Sequence, residues 1–264
     1  MKIALASIFL NEAQYLEASI RQHIGYCDKW VLVEGADRRY PTRSVSPNGL
    51  STDGSSDLAT RLAEENVKII YIKHGWAADK CELRNRYAER LHDYEIVIVV
   101  DIDEFLTYRS MELLLSQLKR LRGVGVVRIP HIHLWKDANH LITGGYWDVP
   151  HDRAYRWCKG AIYSDNHNHP YVGSVLLRDM STRCYNRRLC PAQGGVTHQE
   201  PFFLHYGNCK PPAAIEDKNK YYISRGEDVT RPNTTRSRAA WFAEQTPSFL
   251  RVNRWVGPIP EVFR

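Results

Sequence analysis

The stretch EIVIVVDIDEFL, residues 95–106, decides the fold class of this chain. Five apolar residues in succession, most of them β-branched, are typical of a strand that is buried on both faces of a parallel sheet. The run passes directly into three acids, Asp101, Asp103 and Glu104. Like charges at the end of a buried strand repel one another unless a partner neutralises them, so this strand end is the first candidate for a functional site.

The chain before this stretch alternates between two periodicities. Apolar runs predict strands at 2–10, 29–35, 67–75 and 94–102. Segments with helical spacing of apolar residues lie at 11–24, 53–66, 78–93 and 110–123. A strand–helix alternation of this kind predicts right-handed crossovers and a mostly parallel sheet flanked by helices. The sequence therefore predicts an α/β fold.

The pattern becomes irregular after residue 125. Short strands are expected in 125–135, 160–165, 174–180 and 201–207, and helices in 213–228 and 236–245. We see no internal repeat, so residues 1–264 are expected to form one domain with an irregular α+β second half. The first half, residues 1–108, has the pattern of a nucleotide-binding sheet, and residues 109–264 are expected to receive the second substrate.

Composition excludes several classes of protein. The 43% hydrophobic content can fill a core, and no apolar stretch approaches the roughly 20 residues that cross a bilayer. The apolar start, IALASIFL, stops at Asn11 without a small-residue cleavage site, which favours a first core strand over a signal peptide. The six cysteines lack CxxC spacing, which indicates free thiols and a cytoplasmic location.

The net charge of +6 is unevenly distributed. Residues 1–150 carry 19 Lys/Arg and 20 Asp/Glu, whereas residues 151–264 carry 17 Lys/Arg and 10 Asp/Glu. The excess of positive charge therefore lies in the second half. This asymmetry indicates either an anionic partner for that half or a basic surface that only aids solubility.

Asp101 and Asp103 are expected to share one face of an extended strand end, because side chains alternate along a strand. Two carboxylates side by side suit a hard divalent ion such as Mg²⁺ or Mn²⁺. The alternative is that the acids cap the following helix, but Ser110 is already suited to that position. A long polar loop, 36–52, follows the second strand, where loops of open α/β sheets form the ligand crevice.

These motifs, in this order over residues 3–108, resemble the nucleotide-binding half of GT-A glycosyltransferases, close to the family 2 type. The stretches that carry the resemblance are SIFLNEAQYLEASIRQHI, KWVLVEGAD, STDGSSD, LRNRYAER and IVIVVDIDEFL. The resemblance implies a GT-A type fold and transfer of a hexosyl group from a nucleoside-diphosphate sugar, with a UDP-sugar as the expected donor. The long loop between Glu34 and Asp53 departs from the compact family pattern.

The resemblance also implies roles for individual residues. Phe9 and Asn11 would lie along the base and ribose, and Glu34 would accept a hydrogen bond from the base. Asp53 would either contact the nucleotide or only cap its helix. Lys80 and Arg84, four residues apart on one helical face, would approach the diphosphate.

The metal site is implied in the same way. Asp101 would hold the ribose or the metal, and Asp103 would ligate Mn²⁺ or Mg²⁺. His205, in PFFLHYG, is the expected third ligand, and its alternative is a core histidine bonded to the backbone. The histidine pairs HIH, 131–133, and HNH, 167–169, lack the ββα frame of a nuclease.

The general base that an inverting transfer requires is expected from the second half. Asp148 and Glu200 are the candidate acids, with His169 as a further candidate. Aromatic residues interleaved with arginine in that half suit sugars or nucleic acid. The acceptor is therefore expected to be a cell-surface or lipid-linked glycan, or an anionic polymer such as DNA with hydroxymethylated bases. The alternatives are a nucleotidyltransferase and a non-catalytic module that binds nucleotide or nucleic acid.

Overall fold

A computed structural model describes residues 1–120, 124–143, 147, 149–164, 170–172, 175–176, 182–185, 189–193, 195–226 and 251–263. The strands of the first half are β1 Ile3–Phe9, β2 Lys29–Asp37, β3 Ile69–Ala77, β4 Ile96–Val99 and β5 Glu104–Leu106. Its helices are α1 Ala13–His23, α2 Ser55–Glu65, α3 Lys80–Ala88 and α4 Tyr108–Arg120. All four predicted strands and all four predicted helices of this half are present.

The second half contains many short strands and one long helix in its described part. The strands are β6 Val126–Ile129, β7 His131–Trp135, β8 Asp137–Thr143, β9 His151–Arg156, β10 Ile162–Tyr163, β11 Pro170–Val172, β12 Val175–Leu176, β13 Thr182–Cys184, β14 Leu189–Ala192, β15 Gly195–His198, β16 Phe203–His205 and β17 Arg251–Arg254. The helix is α5, Pro212–Ser224. The helix predicted at 236–245 lies outside the described residues.

The main sheet has seven strands in the order β13-β6-β9-β4-β1-β2-β3. Strands β3, β2, β1 and β4 are parallel neighbours, and β9 enters antiparallel between β4 and β6. The fold class that the sequence predicts is therefore confirmed: a mostly parallel sheet flanked by helices and followed by an irregular α+β half.

Side-chain alternation along the central strands produces two core layers. One face, with Leu5, Leu32 and Ile98, packs against α1, α2 and α4. The other face packs against α3 and carries the small residues Ala4 and Ala6. Because both faces are covered, the central strands are apolar throughout, which is the pattern expected of a parallel sheet.

Pro130 divides the stretch that the sequence predicts as one strand. Residues before it form β6 in the main sheet, and residues after it form β7 in a five-stranded sheet of order β17-β8-β7-β16-β5. Proline lacks the N–H that a strand interior needs, so the chain changes sheets at this point. This second sheet places β5 and β16 beside each other, with Glu104 opposite His205.

No helix in the described part of the chain is long and apolar enough to span a membrane.

Candidate active site

Asp101 and Asp103 lie in the turn between β4 and β5, and Glu104 is the first residue of β5. Strand β4 ends at Val99, and the amide of Glu104 donates a hydrogen bond of 2.8 Å to the carbonyl of Asp101. The chain is therefore not extended here. The prediction that Asp101 and Asp103 share one strand face is wrong because the turn directs the two side chains to different partners.

Asp103 is buried and lies among basic groups. Its Oδ2 is 2.8 Å from the ammonium of Lys210 and 3.9 Å from that of Lys218, while its Oδ1 is 3.5 Å from Nε2 of His205. Burial by itself raises the pKa of a carboxyl, but Lys210, His205 and Lys218 outweigh it and hold the pKa of Asp103 well below its usual value. Asp103 is therefore ionised and fully charge-compensated.

Glu12 completes this group from the start of α1. Its Oε1 also contacts the ammonium of Lys210, so one lysine bridges two carboxylates. Burial raises the pKa of Glu12 to about 7, although Lys210 opposes that shift. The loop between β16 and α5 thus brings Lys210 to a position between the first helix and the end of the fourth strand.

Asp101 is the more exposed acid, with 41% of its side-chain surface accessible. Its Oδ2 is 3.0 Å from Nη2 of Arg153, which reaches it from β9 and also contacts Glu104. Burial raises the pKa of Asp101, but Arg153, helped by Arg84 and Lys80, outweighs it, so the pKa is lowered. Two of these cations, Lys80 and Arg84, belong to α3, and the third, Arg153, belongs to β9.

Glu104 points into the interior beside a group of histidines. Its Oε1 is 3.0 Å from Nε2 of His131, and burial raises the pKa of Glu104 to about 7. The rings of His131 and His133 stack at 5.8 Å, as expected for alternating residues of a strand, and Nδ1 of His133 lies 2.7 Å from Nδ1 of His205. His151 packs edge-on against His131 at 4.6 Å.

Whether Mn²⁺ or Mg²⁺ fits this donor set depends on what the carboxylates already contact. Asp103 and His205 face each other at a separation that a shared ligand could bridge. Lys210 nevertheless bonds the second oxygen of Asp103, and Arg153 bonds Asp101. Among the described residues, no group of three or more His, Cys, Asp or Glu side chains is arranged to hold a metal. As arranged, these residues do not fit a divalent ion.

Four residues predicted to contact the nucleotide have protein partners in the loop 38–54 and in the elements beside it. Glu34 is fully buried; its Oε1 accepts hydrogen bonds from the amide of Ser51 at 2.7 Å and the hydroxyl of Ser56 at 2.6 Å. The hydroxyl of Tyr71 donates to its Oε2. Phe9 is buried, with its ring 6.1 Å from that of Tyr71. Both oxygens of Glu34 thus have protein partners.

Asn11 and Asp53 hold the same loop at its end. The side chain of Asn11 donates to the carbonyl of Ser44 at 2.6 Å and accepts from the amide of Thr52 at 2.8 Å. Asp53 accepts from the amides of Ala13, at the start of α1, and Ser55, at the start of α2, both at 3.0 Å. Asp53 thus bonds the first amides of both helices, although the N-cap residue of α2 is Gly54.

The loop 38–54 is also fastened from the second half of the chain. Arg43 donates to the buried Asp217 of α5 at 2.7 Å, and the hydroxyl of Tyr221 donates to Asp37 at 3.0 Å. On its other side, Nε1 of Trp76 donates to the carbonyl of Pro47 at 2.9 Å. The carboxyl ends of β1, β2 and β3 are covered by this loop.

Lys80 and Arg84 lie on one face of α3, as predicted. The ammonium of Lys80 lies 5.3 Å from the ring centre of Tyr221 and 5.6 Å from that of Tyr222, and the guanidinium of Arg84 lies over Tyr163 at 5.6 Å. Both are among the groups that lower the pKa of Asp101. The structure thus brings these two predicted residues to the strand edge.

Of the three candidate bases, only Glu200 lies among the described residues, and it is not in contact with Asp103. Glu200 accepts from the hydroxyl of Thr107 at 2.5 Å and pairs with Arg109 at 3.0 Å, at the start of α4. Thr107 is four residues beyond Asp103, which is about 13 Å along an extended strand. Asp148 and His169 lie outside the described residues.

The helix after the acids is capped differently from the prediction. It begins at Tyr108, and the amide of Ser110 donates to the hydroxyl of Thr107 at 3.0 Å. Thr107, not Ser110, is therefore the cap, and the hydroxyl of Ser110 is buried and accepts from the amide of Phe202.

Lys210, Lys218, Arg153 and Glu12 were not identified from the sequence. A lone Lys in a loop has no periodic signal, and contacts over such sequence separations are set by the fold. The fold and this site together define an α/β protein in which Asp101 and Asp103 follow the central strand β4 and are surrounded by basic side chains.

Comparison of the sequence with protein-family models and with curated protein sequences gives no match. Among solved structures, similar ones include the mannosyltransferase PcManGT from Pyrobaculum calidifontis in complex with GDP-Man and Mn²⁺, with 22% identity and a TM-score of 0.37. That overlap covers 48% of this chain and 35% of that one, so this chain spans about a third of that protein.

Two further structures are similar to this chain. One is S. aureus TarS 1–349 in complex with UDP-GlcNAc: 10% identity, 92% of this chain, 70% of that one, TM-score 0.48. The other is 4-diphosphocytidyl-2C-methyl-D-erythritol synthase from Anaerococcus prevotii: 15% identity, 59% of this chain, 70% of that one, TM-score 0.34. At identities of 22% or less and TM-scores of 0.48 or less, these overlaps do not identify an activity, substrate or metal for this chain.

Proposed function

We propose that this protein is a glycosyltransferase that moves a sugar from a nucleoside-diphosphate sugar, with a UDP-sugar as the expected donor, to a hydroxyl acceptor. The observation that carries the proposal is the group of basic side chains around the Asp101–Asp103 turn at the carboxyl edge of β4. The group consists of Lys80, Arg84, Arg153, Lys210 and Lys218. Ligands of open α/β sheets bind at this edge, and the sequence resemblance over residues 3–108 implies the same donor.

A diphosphate suits these residues by its charge. The five cations exceed the four nearby acids, Glu12, Asp101, Asp103 and Glu104, and two of those acids have a pKa of about 7. Positive charge held in place before the reaction stabilises the negative charge that develops on the departing diphosphate. Lys80 and Arg84 on α3, with Arg153 on β9, are expected to contact the phosphate oxygens.

The remaining roles are proposals of the same kind. Residues 1–108 bind the donor, joined at its diphosphate by Arg153, Lys210 and Lys218, and the rest of 109–264 binds the acceptor, within one domain. Phe9, Asn11, Glu34 and Asp53 adjoin the base, and Asn11 and Glu34 also position the loop 38–54 beside it through their hydrogen bonds. Asp148, Glu200 or His169 supplies the general base. The resemblance also implies Mn²⁺ or Mg²⁺, but the donor set does not fit such an ion, so no step is assigned to one.

The class of acceptor is inferred from the positive charge of the second half of the chain. The positive charge of residues 151–264 suits a polyanion such as DNA with hydroxymethylated bases, and a cell-surface or lipid-linked glycan is the other acceptor. A hydroxyl on a base would have to leave the base stack to reach the donor. We propose a cytoplasmic location, where the free thiols of the described cysteines remain reduced.

The donor is tested by incubating the purified protein with a panel of nucleotide sugars and measuring thermal stabilisation and slow release of nucleoside diphosphate. We expect one nucleotide sugar to stabilise the protein and to be hydrolysed. A nucleotidyltransferase would instead consume a nucleoside triphosphate and release pyrophosphate, and a non-catalytic module would bind without turnover. Indifference to every sugar donor contradicts the proposal.

The acceptor is tested separately with duplex DNA that contains hydroxymethylated bases. If DNA is the acceptor, binding weakens steeply as salt rises, because phosphate contacts release counterions. Radiolabelled sugar then appears in the DNA. A protein that ignores DNA but labels a lipid-linked oligosaccharide has the glycan as its acceptor.

A further inference from the structure

Lys210, which the sequence did not identify, forms ion pairs with two carboxylates of the candidate site. Residues 206–211 join β16 to α5, and Lys210 in this loop places its ammonium between Glu12 and Asp103, where only 11% of its side-chain surface is accessible. Asp103 is the residue to which the sequence resemblance assigns the metal. The cation that lies against the Asp103 carboxylate is therefore the ammonium of Lys210.

Lys218 supports the same carboxylate from α5. Its Nζ lies 3.9 Å from Oδ2 of Asp103. Gly207 makes room for this arrangement: a Cβ at that position would lie 2.4 Å from Nε2 of His205 and 3.1 Å from Nζ of Lys218. Two ammonium groups and one imidazole thus surround Asp103, and a divalent ion on the same carboxylate would be repelled by both ammonium charges.

We propose that Lys210, assisted by Lys218, supplies the positive charge at the donor diphosphate, so that this protein binds nucleoside diphosphates and transfers the sugar without a divalent metal. The inference rests on the proposed function. An ammonium has three N–H donors, and within the described part of the chain Asp103 and Glu12 take two of those of Lys210, which leaves one for a phosphate oxygen. Charge-assisted bonds of this kind are the strong ones in phosphate recognition.

The reaction balances without a further reactant. The bond from the anomeric carbon to the β-phosphate oxygen breaks, and its electron pair stays on that oxygen. The acceptor hydroxyl oxygen bonds the anomeric carbon and gives its proton to the general base. Lys210 keeps its proton throughout and acts by its charge, since Asp103 and Glu12 raise the pKa of its ammonium although burial opposes them.

The experiment measures binding of UDP and of GDP to the full chain by calorimetry, once in EDTA and once with Mn²⁺. The variants are Lys210→Met, Lys210→Arg and Lys218→Met. The matched control is Lys220→Met, which removes one positive charge from α5, the helix that also carries Lys218. Lys220 is half-exposed and pairs with Glu216. Lys218→Met provides a second route if Lys210→Met, which uncovers two buried carboxylates, fails to fold.

We expect the wild type to bind at least one of the two nucleotides equally well in EDTA and in Mn²⁺. Lys210→Met and Lys218→Met should weaken that binding about 10- to 100-fold, the effect of losing a hydrogen bond from a charged group. Lys210→Arg should retain most of it, and Lys220→Met should stay within about twofold. Release of nucleoside diphosphate from the nucleotide sugar should likewise survive EDTA.

Two results overturn the inference, and they are distinguishable. If binding and turnover require Mn²⁺ or Mg²⁺, or if Lys220→Met weakens binding as much as Lys210→Met and Lys218→Met do, the lysines do not have this role while the proposed function stands. If neither nucleotide binds and no sugar donor is hydrolysed in either condition, the proposed function fails as well.

Discussion

The carboxylate of Glu34, the last residue of β2 that pairs with β1, accepts a hydrogen bond of 2.7 Å from the amide of Ser51, near the end of the loop that follows β2. This bond closes the loop 38–54 over the strand ends. The hydroxyls of Ser56 and Tyr71 bond the same carboxylate, which is fully buried. Glu34 therefore organises the loop that covers the expected base-binding position.

Replacing Glu34 with Ala should destabilise the protein markedly. The change leaves one amide and two hydroxyls without their acceptor, and a buried donor left unpaired costs about 1–3 kcal/mol. We expect urea unfolding to show a loss of about 2–4 kcal/mol. The control is Glu65→Ala, an exposed helix residue paired only with Arg61, which should change stability by less than about 0.5 kcal/mol. Equal stability of the two variants contradicts this account of Glu34.

Arg84 should be needed for donor binding, and its neighbour Arg86 should not. Arg84 lies on the face of α3 that influences Asp101, whereas Arg86 points outward and pairs with Glu89. We expect Arg84→Gln to weaken binding of the nucleoside diphosphate by about 1.5–3 kcal/mol, the contribution of a charged hydrogen bond. Calorimetry should find Arg86→Gln indistinguishable from wild type. If both variants bind normally, α3 does not face the phosphates.

Local patterns were sufficient to predict the first half of the fold. Its strands are runs such as Ile96–Val99 that are buried on both faces, and a parallel sheet covered by helices hides such runs from water. The predicted strand bounds were wrong at two points where the chain changes direction. Pro130 divides β6 from β7, and the turn after β4 separates the directions of Asp101 and Asp103.

The site was predictable only in part, for a physical reason. Asp101, Asp103 and Arg84 lie on elements whose ends are visible in the sequence. Lys210 is more than 100 residues from Asp103, in a loop without periodicity, and only the pairing of β16 with β5 brings it there. Glu34 was recognised as an acid at a strand end, but its partners Ser51, Ser56 and Tyr71 come from the long loop, α2 and β3, and the sequence does not show that these meet.

Gly49 and Gly54, both in the loop 38–54, provide a matched test of how tightly this loop packs against β3. Gly49 and Gly54 both have positive φ, +83° and +92°. A Cβ at Gly49 would lie 2.2 Å from the amide nitrogen of Trp76, whereas at Gly54 it would meet nothing within 4 Å. Gly54→Ala therefore carries only the strain of a left-handed backbone, about 1 kcal/mol.

Gly49→Ala should be clearly more costly than Gly54→Ala. The clash is with backbone, so the loop must leave β3, and we expect a loss of at least about 3 kcal/mol in unfolding free energy. Limited proteolysis should also cut Gly49→Ala within 38–54 sooner than Gly54→Ala. If the two variants are equally stable and equally resistant to protease, the loop does not pack against Trp76 in solution.

The buried His23 should make the protein lose stability in mild acid. Its Nδ1–H donates to the carbonyl of Ser19 at 2.9 Å, and its Nε2 accepts from the amide of Leu106 at 3.0 Å, so the ring is neutral. Burial lowers its pKa from 6.5 to about 4. Between pH 6.5 and 4 the His23 ring is therefore protonated in the unfolded chain but neutral in the folded protein. Folding becomes less favourable as pH falls through this window.

Over that window, His23 should cost the wild type about 3 kcal/mol of unfolding free energy as pH falls, at 1.36 kcal/mol for each unit of pKa difference. His23→Gln removes the titrating group, so urea unfolding from pH 7 to pH 4 should show a shallower decline than in the wild type, whatever its stability at pH 7. His92→Gln, which removes an exposed histidine, should keep the wild-type slope. A variant without His23 that declines as steeply as the wild type would mean that the folded ring accepts a proton as readily as the unfolded one, and the contacts with Ser19 and Leu106 would then not hold in solution.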